Sequence, residues 1–120
     1  MATRRTLSGA FALPTALDTD IRLCESGVSV TVRGEIDVHT APQLRDRLDE
    51  VLRQEEELVV LHLDDVTFMD STGLGVLVGA HKAQVAAGRS LVLVCSEPRV
   101  LRIVHLTGLH RVLTIHGASA

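Results

Sequence analysis

The sequence predicts a single α/β domain built on a mixed, mostly parallel sheet with an antiparallel edge, and three observations support this fold class. The chain has 120 residues, 46% of them apolar and 22% charged, which suits one compact globular domain. Strand-like apolar segments alternate along the chain with segments of helical periodicity. Two strand-like segments follow each other directly before the first helix. The predicted order of elements is therefore β-β-α-β-α-β-α-β.

The first three predicted elements are the two strands of a hairpin and a helix. Residues 21–24 and 28–32 form the hairpin, because the second segment alternates strictly between apolar and polar side chains. The helix begins at Thr40, where Thr40, Pro42 and Gln43 match a capping box with proline in the first turn. Apolar residues then recur at helical spacing, which predicts one buried face.

The remaining elements alternate between strands and helices. Residues 58–63 and 91–95 are nearly all apolar, which is typical of strands covered on both faces. Gly88 and Gly108 end the second and third helices, since glycine readily adopts the left-handed conformation that terminates a helix. The predicted bounds are, in order, a strand at 58–63, a loop at 64–69, a helix at 70–87, a strand at 91–95, a helix at 96–107 and a strand at 112–115.

Function in such a fold is expected in the loops that follow the carboxyl ends of the parallel strands. Two predicted loops qualify, residues 34–40 and residues 64–73. Both contain several polar residues and one glycine, and both lead into a helix. The sequence therefore predicts that function lies in these two loops.

Composition excludes several classes of function. The 12 Lys and Arg residues are outnumbered by 15 Asp and Glu residues, which gives a net charge of −3 and no electrostatic basis for direct binding of nucleic acid. The chain has no Trp or Tyr and two Phe, so base stacking is not expected either. No apolar run approaches the roughly 18–20 residues of a membrane-spanning helix, so membrane insertion is not expected.

The ends of the chain and its cysteines predict a cytoplasmic protein. Residues 1–18 are expected to be a flexible arm and residues 19–120 the folded domain. Arg4 and Arg5 resemble a twin-arginine export signal, but the apolar stretch that follows is too short for one. Cys24 and Cys95 stand among apolar residues, which predicts two reduced thiols in the core.

The start of the second helix is the most unusual segment. Three consecutive polar residues come directly before a helix that is apolar almost all the way round and contains several glycines, each of which lowers intrinsic helicity by up to about 1 kcal/mol relative to alanine. Asp70 or Ser71 is expected to cap the helix. Because glycine lowers helix stability, its presence at several positions indicates close packing or a surface that a partner approaches. The residues concerned are Asp70, Ser71, Thr72, Gly73, Gly75 and Gly79.

Enzymatic and metal-binding interpretations have weaker support. Ser71 lacks the flanking glycine pattern of a nucleophile elbow. The glycines resemble a relaxed dinucleotide fingerprint, but seven or more residues separate them from the preceding predicted strand, where a tight turn is required. The six histidines show no metal-ligand spacing. No metal, cofactor or catalytic residue is predicted.

Two motifs are similar to those of the single-domain anti-sigma factor antagonists of the STAS family. The first is Gly34-Glu-Ile-Asp-Val-His-Thr-Ala41, and the more specific second is Val66-Thr-Phe-Met-Asp-Ser-Thr-Gly-Leu-Gly-Val-Leu77. The likeness extends more weakly from Ile21 to Ile115. It implies a STAS-like domain without catalytic activity that binds an anti-sigma factor and thereby releases a sigma factor.

The resemblance also implies how the protein is regulated. The anti-sigma factor would be a serine kinase that phosphorylates the position matching Ser71 and so switches binding off, and a serine phosphatase would restore binding. Thr72 replaces a second serine that is common in the family, so either hydroxyl could be modified. The residues expected to contact the partner are Asp37, Thr40, Asp70, Ser71, Thr72 and Gly75. Two alternatives stay open: a STAS subunit of a transporter or signalling complex, and a small nucleotide-binding enzyme.

Overall fold

Five strands and three α-helices follow one another in the predicted order in a computed structural model, which describes residues 17–117. A single 3-10 turn, Leu109–Arg111, precedes the last strand within this range. The strands are β1 (Asp18–Cys24), β2 (Gly27–Ile36), β3 (Leu58–Met69), β4 (Ser90–Val94) and β5 (Thr114–His116), and the helices are α1 (Ala41–Leu52), α2 (Ser71–Ala86) and α3 (Pro98–Leu106).

The sheet has the spatial order β1-β2-β3-β4-β5, with β1 antiparallel to β2 and all other neighbours parallel. This arrangement confirms the mixed sheet with an antiparallel edge. Each parallel connection steps one strand in the same direction, and right-handed crossovers therefore place α1, α2 and α3 on one face. The prediction that β3 and β4 are covered on both faces is wrong for the described residues: Leu61 and Leu93 are buried, whereas Val60 and Val92 on the other face are half-buried.

Strand β3 is twice as long as predicted. The prediction of a loop at residues 64–69 is wrong, because they continue the strand. Strand β2 also continues to Ile36, and its backbone pairs with this extension, Gly34 opposite Val66 and Ile36 opposite Met69. Irregularities in the register accommodate the extra length. The paired extensions carry the ends of both strands to the same rim of the sheet.

The start of the described chain is tied to the fold. Leu17 is only 4% exposed and β1 begins at Asp18, whose carboxylate accepts a hydrogen bond from the Arg33 guanidinium at 2.8 Å. Residues 1–16, which make up most of the predicted arm, lie outside the described residues, as do residues 118–120. Along residues 17–117, no helix is both long and apolar enough to cross a membrane.

The two cysteines differ in environment. Cys95 is buried, and burial raises the pKa of its thiol, as expected for a core residue. The prediction of a buried Cys24 is wrong. Cys24 is the last residue of the edge strand β1, where the chain turns toward Gly27, so neighbouring strands cover only one side of it.

Candidate functional site

The two predicted site loops meet at the rim formed by the ends of β2 and β3. The Asp70 amide donates a hydrogen bond to the Ile36 carbonyl at 3.2 Å, directly after the last paired residues of the two strands. Asp37 follows the last residue of β2, and Asp70, which follows the last residue of β3, is succeeded by Ser71. The segment before α1 and the first turn of α2 therefore lie side by side, as expected for the carboxyl ends of neighbouring parallel strands.

Asp70 is the residue that caps α2. Its backbone is extended, and its carboxylate accepts a hydrogen bond from the Gly73 amide at 3.1 Å. The Leu74 amide closes the first helical turn onto the Asp70 carbonyl. The cap therefore does not depend on the hydroxyl of Ser71.

Ser71 and Thr72 are the first two residues of α2, and both are exposed. Neither hydroxyl makes a hydrogen bond with any residue between 17 and 117. Two backbone N–H groups of the first turn also point toward this end of the helix, whose dipole is positive. Either hydroxyl is thus accessible and free to be modified without removing a contact that the domain uses.

A compact network of hydrogen bonds holds the loop before α1. The Asp37 carboxylate accepts from the amides of His39 at 2.9 Å and Thr40 at 3.0 Å. The Thr40 hydroxyl donates to the Glu35 carbonyl at 2.7 Å and accepts from the Asp37 amide at 3.0 Å. The Thr40 amide hydrogen bond is the main reason that the pKa of Asp37 lies below its ordinary value, with a smaller opposing effect of burial. Asp37 is therefore ionised at neutral pH and fixed in direction.

This network bears on two expectations for Thr40. The predicted capping box is wrong, because the Thr40 side chain makes no cap hydrogen bond and Gln43 donates to the Leu17 carbonyl at 2.8 Å instead. Thr40 is also only 6% exposed. Its hydroxyl points back into the loop, so Thr40 positions Asp37 and offers little surface of its own to a partner.

Replacing Thr40 with valine should destabilise the domain by about 1–3 kcal/mol, because the buried polar groups of Glu35 and Asp37 lose their partner while the side-chain volume stays the same. Urea unfolding of the two proteins measures the difference. Thr40→Ser keeps the hydroxyl and should recover most of the loss. Equal stability of the valine variant and the wild type would show that the network is not formed.

The glycines of α2 have different surroundings. A Cβ added at Gly73 would overlap with Cγ2 of Ile36 and lie 3.2 Å from Cγ of Met69, so close packing excludes a side chain there. Outside the backbone of α2, a Cβ at Gly75 or Gly79 would meet no described residue within 4 Å. These two positions cost up to about 1 kcal/mol each in helix propensity, and packing within the described residues does not require them.

The geometry also bears on the alternative sites. The spacing argument against a dinucleotide site is wrong, since β3 extends to Met69 and only three residues precede Gly73. The glycine environment argues against such a site instead: Ile36 fills the space at Gly73, and Gly75 and Gly79 lie farther along the helix than the turn that holds a pyrophosphate. Residues 17–117 contain no cluster of three or more His, Cys, Asp or Glu side chains able to hold a metal ion.

Several known proteins are similar to this chain. The model of the STAS domain matches residues 20–119. The anti-sigma-B factor antagonist of Bacillus subtilis is 39% identical over 103 residues, 86% of this chain and 94% of the relative. That of Listeria monocytogenes is 40% identical over 94 residues, 77% of this chain and 81% of the relative.

A solved structure has the same architecture. The crystal structure of an anti-sigma factor antagonist from Mycobacterium paratuberculosis superposes with a TM-score of 0.80 at 27% sequence identity, covering 88% of this chain and 90% of that one. Three observations assign the chain to a family: the sheet order, the helix that begins at the Asp-Ser-Thr triplet, and the family match over most of the chain. The chain is a member of the STAS domain family.

Proposed function

We propose that this protein is an anti-sigma factor antagonist that acts in the cytoplasm and is not itself an enzyme. It binds an anti-sigma factor, which then releases its sigma factor for RNA polymerase. The anti-sigma factor is also a serine kinase that phosphorylates Ser71 and thereby ends the interaction, and a serine phosphatase reverses the modification. The curated relatives, named as antagonists of anti-sigma factors, support the partner class.

The single observation that carries the switch is the free, exposed hydroxyl of Ser71 at the start of α2. A phosphate there adds about −1.5 to −2 charge. The helix N-terminus accommodates this charge, and the Asp70 cap is independent of the hydroxyl, so the free domain stays folded. The unfavourable interaction instead falls on a partner docked over Ser71.

The partner-facing surface is predicted to be acidic around this hydroxyl. The carboxylates of Asp37 and Asp70 are on the two segments that meet at the rim. We infer that the anti-sigma factor covers both carboxylates when it docks. Phosphorylation adds a further negative charge that this contact cannot desolvate without cost. A loss of about 3 kcal/mol weakens binding by about 100-fold, which is enough to exchange partners.

Incubation of the purified protein with the serine-kinase anti-sigma factor of the same cell and ATP should add one phosphate, on the exposed Ser71 hydroxyl at the first position of α2. Intact-mass spectrometry counts the phosphates, and fragmentation assigns the residue. Ser71→Ala should abolish the modification, whereas Thr72→Ala, the neighbouring hydroxyl, should retain it. Phosphate retained in Ser71→Ala and lost in Thr72→Ala would move the switch to Thr72.

Binding of a nucleotide by this protein alone would instead support the small nucleotide-binding enzyme. The proposed function requires ATP only on the kinase. Titration of ATP into the isolated protein, followed by calorimetry, should therefore give no binding heat.

A further inference from the structure

A groove lies between α1 and α2 on the helical face of the domain. It has a volume of about 260 Å³ and an apolar floor that includes Leu48 and Leu52 of α1. Its other wall is the exposed surface of α2, formed by Gly75, Gly79 and Ala83. These α2 residues recur every four positions and therefore form one line along the helix.

The same line begins at Ser71. Ser71, Gly75, Gly79 and Ala83 are all exposed and each is one helical turn from the next. From the first to the last, the line runs for about 18 Å at the rise of an α-helix. The groove thus begins at Gly75, one helical turn from Ser71. An occupant that continues along this line past the end of the groove reaches the Ser71 hydroxyl.

The two glycines of the line expose the backbone of α2. Apart from the backbone of α2 itself, no atom of residues 17–117 lies within 4 Å of a Cβ placed at Gly75 or Gly79, so packing among these residues does not require their small size. A partner whose own backbone comes close to α2 would require glycine at these positions, since a side chain at either one would hold the two backbones apart. Glycine lowers helix propensity at both positions, and internal packing does not explain its presence there. Close approach of a partner would explain it.

Two opposite charges line the α1 side of the groove. Arg45 and Asp49 are exposed and are one helical turn apart. Neither forms an ion pair or a side-chain hydrogen bond with any residue of the 17–117 range. A partner segment with an acidic and a basic side chain one helical turn apart complements both of them.

We propose that the groove between α1 and α2 receives an α-helix of the anti-sigma factor. This inference rests on the proposed function and extends it from Ser71 to a second contact region. The docked helix places small residues against Gly79 and an acidic and a basic residue against Arg45 and Asp49. One end of the helix lies beside Ser71, where phosphorylation repels it.

The test is to fill the groove at Gly79, which is outside the Asp-Ser-Thr motif. Gly79→Leu should raise the thermal unfolding temperature, because it replaces glycine in a helix and its Cβ meets no atom of the domain. The same variant should weaken binding of the serine-kinase anti-sigma factor by about 30-fold or more, because the leucine occupies space that the partner backbone needs. Val85→Leu, an exposed position of α2 that does not line the groove, is the matched control and should bind normally.

Isothermal titration calorimetry with the anti-sigma factor distinguishes the groove proposal from the proposed function. It compares the wild type, Ser71→Asp, Gly79→Leu and Val85→Leu. If the wild type binds and Ser71→Asp does not, while Gly79→Leu binds as tightly as the wild type, the groove proposal is overturned and the proposed function stands. If the wild type fails to bind the anti-sigma factor at all, the proposed function is wrong and the groove proposal falls with it. Charge reversal in the double variant Arg45→Glu/Asp49→Lys should also weaken binding if the helix docks as proposed.

Discussion

Replacing Ser71 with aspartate should weaken binding of the anti-sigma factor by about 100-fold while leaving the domain folded. The added carboxylate stands at the first position of α2, where the helix dipole stabilises negative charge by about 0.3–1 kcal/mol. Asp70 keeps its cap hydrogen bond to Gly73, so no contact within the domain is lost. The cost is confined to the complex, in which the new charge is desolvated beside Asp37 and Asp70. Calorimetry measures the affinity, and circular dichroism with thermal unfolding measures the fold.

Ser71→Asn is the matched control, because asparagine has the shape of aspartate without its charge. It should bind more tightly than Ser71→Asp if charge is the cause, and equally weakly if size alone disrupts the contact. A Ser71→Asp variant that unfolds would show that the serine side chain has a structural role in the cap. Such a result would contradict the assignment of the cap to Asp70.

Replacing Gly73 with alanine should destabilise the domain by about 1–3 kcal/mol, although only one methyl group is added. The new methyl group would overlap with Cγ2 of Ile36 and lie 3.2 Å from Cγ of Met69. Ile36 is fully buried at the end of β2 and Met69 at the end of β3, so neither side chain has free space into which it can move. Relief of the overlap requires α2 to shift away from the sheet. Equilibrium unfolding in urea gives the change in the free energy of unfolding.

Gly75→Ala is the control for Gly73→Ala, since it makes the same change two residues later. Its Cβ meets nothing within 4 Å, so the gain in helix propensity, up to about 1 kcal/mol, should raise the stability. A double variant with Ile36→Leu removes the Cγ2 branch and should recover part of the loss at Gly73, which a double-mutant cycle detects. Equal effects of alanine at positions 73 and 75 would contradict the packing described for Ile36.

The parts of the site that could be predicted from the sequence are those determined by interactions between neighbouring residues. The Asp-Ser-Thr triplet before an apolar helix predicted a helix start with polar residues exposed, because capping and helix polarity involve residues within one turn. The assignment of Asp70 or Ser71 as the cap stayed open in the sequence. The hydrogen bond from the Gly73 amide to Asp70 decided it.

Errors arose where a residue's partner is distant along the chain. Residues 64–69 were predicted as a loop, and they form a strand because the β2 extension offers its backbone for pairing, with Gly34 opposite Val66. Gln43 was predicted to complete a capping box with Thr40, and its side chain instead donates to the Leu17 carbonyl, 26 residues earlier. The local sequence shows which residues could form a hydrogen bond, and it does not show which partner each of them binds.

The order of elements, the antiparallel edge and the place of the polar triplet at the start of α2 could be predicted from local sequence, since periodicity and helix signals are properties of neighbouring residues. The common face of the three helices follows from the strand order, which depends on contacts between distant segments. Only the tertiary structure decided that Gly73 is packed against Ile36 while Gly75 and Gly79 are open. All three positions are glycine, so the residue type does not distinguish them. The space around each one is determined by residues that are distant along the chain.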